Sequence, residues 1–101
     1  MTLNEIRREL REIRTYYASE NLFKKSADRG YPSAVKSMVD KYNRAMENAP
    51  AMLYVVYVSL YVNNNTQAVV AEDLGYTTEY IKYQNSLLCK YLFENLHGGK
   101  Q

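Results

Sequence analysis

Few residues of this chain have both the type and the spacing that catalysis or metal binding requires. The chain has one cysteine, Cys89, and one histidine, His97, and neither has a partner at the spacing of a catalytic pair or a metal site. Glu72 and Asp73 are adjacent, and neighbouring residues on a helix do not face each other, so they predict no acid–base dyad. We therefore expect a buried thiol at Cys89, a C-terminal helix cap at His97, and no enzyme activity, metal or cofactor.

The residues around Gly75 have instead the spacing of two helices that cross closely. Ala71 is small where the helices would meet, and Gly75, four residues later, tolerates the positive φ of a tight turn. Thr77 or Thr78 is placed to cap the second helix. The pattern predicts a helix-turn-helix, with helices from Thr66 to Leu74 and from Thr78 to about Leu96. The apolar residues expected to lock the two helices together are Val70, Leu74, Tyr76 and Ile81.

The segment from Thr66 to Leu92 resembles region 4 of bacterial sigma factors, whose pattern is T-x-x-x-[IV]-A-x-x-L-G-x-S-x-x-x-[IV]-[RK]. The whole chain is also similar to small phage-encoded transcriptional regulators of the ArpU-like kind, which place such a domain behind a long helical hairpin. The resemblance implies a DNA-binding regulator of phage or prophage type, with double-stranded DNA and RNA polymerase as partners. The matching positions are Thr66, Val70, Ala71, Leu74, Gly75, Thr77, Ile81, Lys82, Leu88, Cys89 and Leu92.

A helical wheel of the last helix separates an inner from an outer face. Ile81, Gln84, Leu88 and Leu92 share the inner face, and the opposite face would enter the major groove with its N-terminal end nearest the bases. A cation there suits a phosphate or a guanine, and a tyrosine suits a thymine methyl or a phosphate. The candidate DNA-binding residues are Gln67, Thr77, Thr78, Glu79, Tyr80, Lys82, Tyr83 and Ser86.

The charge distribution keeps a second function open. Residues 51–101 contain three Lys and four Asp+Glu, whereas residues 1–50 contain ten Lys+Arg and seven Asp+Glu. Because phosphate neutralisation dominates DNA affinity, the alternative is a protein-interaction module that binds the transcription or packaging machinery with little DNA contact. The four arginines of the first helix either grip phosphate or an acidic partner, or form a solvated face softened by interleaved glutamates.

The remaining pattern predicts the elements that position this segment. Thr2 and Glu5 form a capping box that starts a helix reaching about Ala27, and Gly30, Tyr31 and Pro32 break it. A second helix is predicted from Ser33 to Glu47. Ala51 to Val62 reads as a buried helix, because a strand there has no partner. The fold class is all-α with about five helices: an N-terminal helical hairpin over 1–50 and the helix-turn-helix over 51–101, together one compact unit.

Two further stripes of residues bear on partners. Leu3, Ile6, Leu10, Ile13 and Tyr17 form a narrow seam, which predicts a homodimer through the hairpin or, alternatively, packing on the second helix of the same chain. Tyr54, Tyr57 and Tyr61 share one helix stripe, which we interpret as a packed face rather than a base-stacking surface. One cysteine and the lack of a membrane-length apolar run predict a cytoplasmic protein with no membrane partner.

Overall fold

The computed structural model describes residues 2–22 and 33–98, and these residues form five helices and no strand. The all-α prediction is therefore confirmed. The predicted end of the first helix near Ala27 and the break at residues 30–32 lie outside the described residues. The helices are α1 (Leu3–Leu22), α2 (Ser33–Met46), α3 (Ala51–Tyr57, continued by a π-helical turn Val58–Val62), α4 (Gln67–Leu74) and α5 (Thr78–Leu92, continued by a π-helical turn Phe93–Gly98).

Helix α1 begins with the predicted capping box. The backbone N–H of Thr2 donates to Glu5 Oε1 at 2.9 Å, and the N–H of Glu5 donates to Thr2 Oγ1 at 3.2 Å. Two of the N–H groups that a helix start leaves without an intrahelical partner are thus satisfied by local side chains. The sequence alone therefore fixes where α1 starts.

Helix α3 confirms the helical interpretation of Ala51 to Val62. Leu53 and Leu60 are buried together with one β-branched and one aromatic residue, Val56 and Tyr57, whose burial favours the helix despite their strand preference. The last turn widens, because the N–H of Asn63 donates to the carbonyl of Val58, five residues earlier, at 2.8 Å.

One hydrophobic core joins the five helices. Helix α1 packs on the π-helical turn of α3 and on α5, and α3 packs on α5. Ile6, Leu10 and Ile13 are at most 1% exposed within the single chain. The stripe from which a dimer was predicted is therefore covered by the chain itself, and the cover comes chiefly from α3 and α5 rather than from the second helix.

Tyrosine hydroxyls connect α2 to its neighbours. Tyr57 donates to Asn43 Oδ1 at 2.7 Å, and Asn43 Nδ2 donates to the Tyr17 hydroxyl at 2.9 Å, which links α3, α2 and α1. Tyr42 donates to Glu9 Oε1 at 2.6 Å. Burial raises the pKa of both Tyr42 and Tyr57, and the Glu9 carboxylate raises that of Tyr42 further.

None of the helices in the described part of the chain is both long enough and apolar enough to cross a membrane.

Candidate functional site

The turn between α4 and α5 depends on Gly75. This residue has φ +80° and ψ 29°, the left-handed conformation that costs other residues about 1–2 kcal/mol. The N–H of Tyr76 donates to the carbonyl of Ala71 at 2.8 Å and closes the end of α4. The positive φ predicted at Gly75 is confirmed, and Ala71 is buried as a small residue at a helix crossing should be.

Threonines start both helices of this pair. Thr66 Oγ1 accepts a hydrogen bond from the N–H of Val69 at 3.2 Å, and Thr77 Oγ1 accepts one from the N–H of Tyr80 at 3.1 Å. Glu79 lies in the first turn of α5, where its charge complements the helix dipole. The sequence left the cap of α5 open between Thr77 and Thr78, and Thr77 is the cap.

The inner face of α5 is as predicted. Ile81, Gln84, Leu88 and Leu92 are all buried. The polar side chain of Gln84, on a face that is otherwise apolar, therefore does not turn the helix away from the core. Val70 of α4 is buried with them. The register of α5 therefore fixes which of its side chains reach solvent.

Two residues predicted to lock the helix pair are instead on the surface. Leu74 is 38% exposed and Tyr76 is 44% exposed. Leu74 is the last residue of α4, and Gly75 then turns the chain away, so neither neighbour of the glycine faces the crossing. The Tyr76 ring packs on Tyr80, with centroids 4.4 Å apart. Tyr76 immediately precedes the cap of α5 and Tyr80 lies in its first turn, so this contact is formed across the start of the helix.

Seven of the eight predicted site residues lie in α5 or at its cap, and the eighth, Gln67, is the first residue of α4. Tyr83 is 59% exposed, and Glu79 and Lys82 are exposed with it. Thr77 is also exposed at the N-terminal end of the helix. The other four are partly buried: Gln67, Thr78, Tyr80 and Ser86. The outer face thus presents a short polar and aromatic surface at the start of α5.

The two flanks of α5 face different helices. On one flank, Tyr61 of α3 donates to Asn85 Oδ1 at 2.7 Å, and Cys89, one turn further, is buried. Burial raises the pKa of the Cys89 thiol. On the other flank, the Tyr91 hydroxyl donates to the carbonyl of Ala45 in α2 at 2.8 Å. Lys82 lies three residues before Asn85, so helical spacing places it on the same flank of α5 as Asn85 and Cys89, here called the Cys89 flank.

The surface of the α4–α5 pair has few cations. Glu72, Asp73 and Glu79 are exposed there beside the single cation Lys82 in the first two turns of α5. Arg14 of α1 places a cation beside the loop that precedes α4. Its Nη2 donates to the carbonyl of Asn64 at 3.4 Å.

The part of the chain that the structure describes has no group of three or more His, Cys, Asp or Glu side chains placed to hold a metal ion. The side chain of His97 lies outside the described residues. No model of a known protein family, no curated protein and no solved structure is significantly similar to this chain.

Proposed function

We propose that the α4–α5 pair is a helix-turn-helix and that the protein is a double-stranded DNA-binding regulator of transcription. One observation carries this proposal: Gly75 in the left-handed conformation joins two short helices whose crossing buries Ala71, while the outer face of α5 is left to solvent. A helix-turn-helix needs this combination, because its second helix must be held rigidly and still project into the major groove.

In this proposal the N-terminal turns of α5 enter the groove. Glu79, Lys82 and Tyr83 are the exposed side chains there. Glu79 suits the amino group of a cytosine, Lys82 a phosphate or a guanine, and Tyr83 a thymine methyl or a phosphate. Thr77 already accepts the cap bond of α5, so its hydroxyl proton remains to donate to a phosphate oxygen.

The resemblance to sigma region 4 and to ArpU-like regulators supplies the wider setting of the proposal. It adds a phage or prophage regulatory role and RNA polymerase as a second partner. The cytoplasmic location expected from the single cysteine is part of the same proposal. A homodimer would need a surface other than the α1 stripe, because Ile6, Leu10 and Ile13 are buried within the chain.

Binding to labelled duplexes drawn from DNA around the protein's own gene, at two salt concentrations, tests the proposal. Lys82→Gln should flatten the slope of log affinity against log salt by about one unit if Lys82 contacts a phosphate. If Lys82 contacts a guanine, the loss should be about 1–3 kcal/mol and confined to sites that contain it.

Lys90 provides a matched control on the same helix. It is exposed but lies two turns further from the N-terminal end, so Lys90→Gln removes the same charge away from the proposed groove contact. Equal effects of the two changes would contradict the proposed orientation of α5. Wild-type protein that retains no duplex at low salt would remove the DNA-binding function.

The exposed apolar residues favour a second candidate function, a protein-interaction module for the transcription or packaging machinery. Leu74, Tyr76 and Tyr83 are large side chains on the surface of the α4–α5 pair, and exposed tyrosines are common energetic centres of protein interfaces. The surrounding carboxylates repel DNA and would suit a basic partner. Retention of purified RNA polymerase or terminase that is lost in Tyr76→Ser and Tyr83→Ser, with no DNA retention by the wild type, would support this candidate.

A further inference from the structure

The charged residues of α1 are divided between two sides of the helix. Arg7, Arg11 and Arg14 follow one another at spacings of four and three residues, so they form one row, here called the arginine row. Glu9 lies on the other side, where it accepts the hydroxyl of Tyr42 in α2. Glu9 is therefore separated from the arginine row, whereas Glu12 is not, because it lines one surface cavity together with Arg8 and Arg11.

The arginine row lies beside the entrance of α4 and the Cys89 flank of α5. At one end, Arg14 donates to the carbonyl of Asn64, just before α4 begins. At the other end, the positive charge of Arg7 lowers the pKa of Cys89, against the rise that burial causes. The charges of Arg7 and Arg14 lower the pKa of Tyr61 in the same way. Because Tyr61 itself bonds to Asn85 of α5, Arg7 and Arg14 border the helix pair. Arg11, between them in the row, also lines a surface cavity with Glu12 and with Val35 of α2.

Two cations of this row, Arg7 and Arg11, are available to a ligand. Arg7 and Arg11 are exposed, and neither has a carboxylate within ion-pair distance among residues 2–22 and 33–98. Arg8, which lies off the row, is instead paired with Glu12 at 3.0 Å. Lys82 faces the same flank of α5, so four cations from two helices border one side of the α4–α5 pair.

We propose that the arginine row of α1 binds the phosphate backbone of the duplex whose major groove receives α5. This inference rests on the DNA-binding function proposed above and assigns the source of its electrostatic affinity. The occupant follows from charge complementarity: the exposed guanidinium groups of Arg7 and Arg11 suit a polyanion that carries a phosphate on each strand about every 3.4 Å of helix axis. The shortage of cations on α5 is then compensated by a neighbouring helix, and Arg14 places the row next to the first helix of the pair.

The double variant Arg7→Gln/Arg11→Gln tests the arginine row. Its matched control is Lys41→Gln/Arg44→Gln, which removes the same charge from exposed positions of α2, near Tyr91 on the other flank of α5. The probe is a labelled duplex of mixed sequence, because the phosphate contribution does not depend on sequence. Affinity is measured across a salt series, and circular dichroism melting of every variant verifies that it is folded.

The α1 variant should flatten the slope of log affinity against log salt by about two units, since each phosphate contact contributes about 0.9. The α2 control should leave the slope unchanged. Arg7→Lys/Arg11→Lys, which keeps both charges, should restore most of the slope because a phosphate accepts a point charge as well as a guanidinium.

Three results would overturn the inference. An α1 variant with the wild-type slope, while Lys82→Gln still loses about one unit, would leave the DNA-binding function standing and remove the arginine row from it. Equal losses in the α1 and α2 variants would show a general charge effect with no localised surface. Wild-type protein with no affinity for the duplex at low salt would remove both the arginine row and the proposed function.

Discussion

Tyrosines serve two different purposes in two regions of this molecule. Between α1, α2, α3 and the C-terminal half of α5, each tyrosine hydroxyl described above donates to or accepts from a neighbouring helix. Near the α4–α5 turn, Tyr76 and Tyr83 leave about half of each ring in solvent, at 44% and 59% exposure. The interhelical tyrosines are Tyr17, Tyr42, Tyr57, Tyr61 and Tyr91. The surface tyrosines are Tyr76 and Tyr83 near the turn and, on α3, Tyr54 at 50% exposure.

The difference teaches how a short chain can hold a helix pair rigidly and still leave its surface free. The interhelical tyrosines bury ring area and satisfy their polar ends at once, which suits a rigid scaffold. Helix α4 is held instead by two small apolar residues that are buried, Val70 and Ala71. The large side chains on the outer face of α5 are therefore not needed to hold α4 in place. A single residue type thus packs between helices in one region and forms exposed aromatic surface in the other.

The sharpest test of this comparison truncates one tyrosine from each group. Tyr42 is fully buried, so Tyr42→Ala should lower the free energy of unfolding by about 3–5 kcal/mol, through lost burial and the cavity left behind. Tyr83→Ala should change it by no more than about 0.5 kcal/mol. Urea denaturation followed by circular dichroism measures both. Similar losses would mean that the two groups are not energetically distinct.

The anchoring of α4 by small residues predicts the next largest effect. Ala71→Leu should overpack the helix crossing and cost about 1–3 kcal/mol of unfolding free energy. Ala68→Leu is the control, because Ala68 is on the same helix but exposed. If both variants melt at the temperature of the wild type, the crossing does not depend on a small residue at position 71.

Removing one hydroxyl from each tyrosine group should give a smaller difference. Tyr57→Phe leaves Asn43 Oδ1 without its donor in a partly buried site, so we expect a loss of about 1–1.5 kcal/mol in unfolding free energy. Tyr54→Phe, on the same helix but 50% exposed, should be close to neutral. The comparison would fail if the two variants unfolded at the same urea concentration.

The smallest expected effect is one of pH. Burial raises the pKa of Tyr61 to about 12 from an ordinary value of 10.0. The unfolded chain therefore ionises first, and the stability that neutral Tyr61 contributes is present below pH 10 and lost as the pH rises to about 12. Because the ring is only partly buried, the loss should be about 1 kcal/mol or less over this interval.

Urea titrations of wild type and Tyr61→Phe at several alkaline pH values measure this effect. Other tyrosines also ionise there, but they do so in both proteins, so the difference in unfolding free energy isolates Tyr61. The wild type should lose stability relative to the variant between pH 10 and 12. A difference that stays constant over this range would contradict the assignment.

The sequence predicted the elements well where the signal is local. The capping box at Thr2 and Glu5, the turn at Gly75 and the inner face of α5 all depend on residues within a few positions of each other. Ala51 to Val62 required one further argument, the lack of a partner strand. Local spacing decides such features because their hydrogen bonds and side-chain contacts close within one or two helical turns.

The sequence could not say what covers each apolar face. The Ile6–Leu10–Ile13 stripe predicted a seam, but periodicity does not distinguish a second chain from α3 and α5 of the same chain. Leu74 and Tyr76 were expected inside for the same reason, since spacing alone does not reveal where the chain turns away from the crossing. The separation of Glu9 from the arginine row also depends on tertiary contacts, namely Arg14 with Asn64 and Glu9 with Tyr42.

The buried position of Cys89 makes its thiol a measure of how often the folded protein opens. The chain has one cysteine, and its side chain has no exposed area in the folded state. Because α1 packs against α5 and burial raises the pKa of the thiol, an alkylating reagent reaches a reactive sulfur only when this packing is lost. The same protection means that oxidative linkage of two copies through Cys89 would first require both to open.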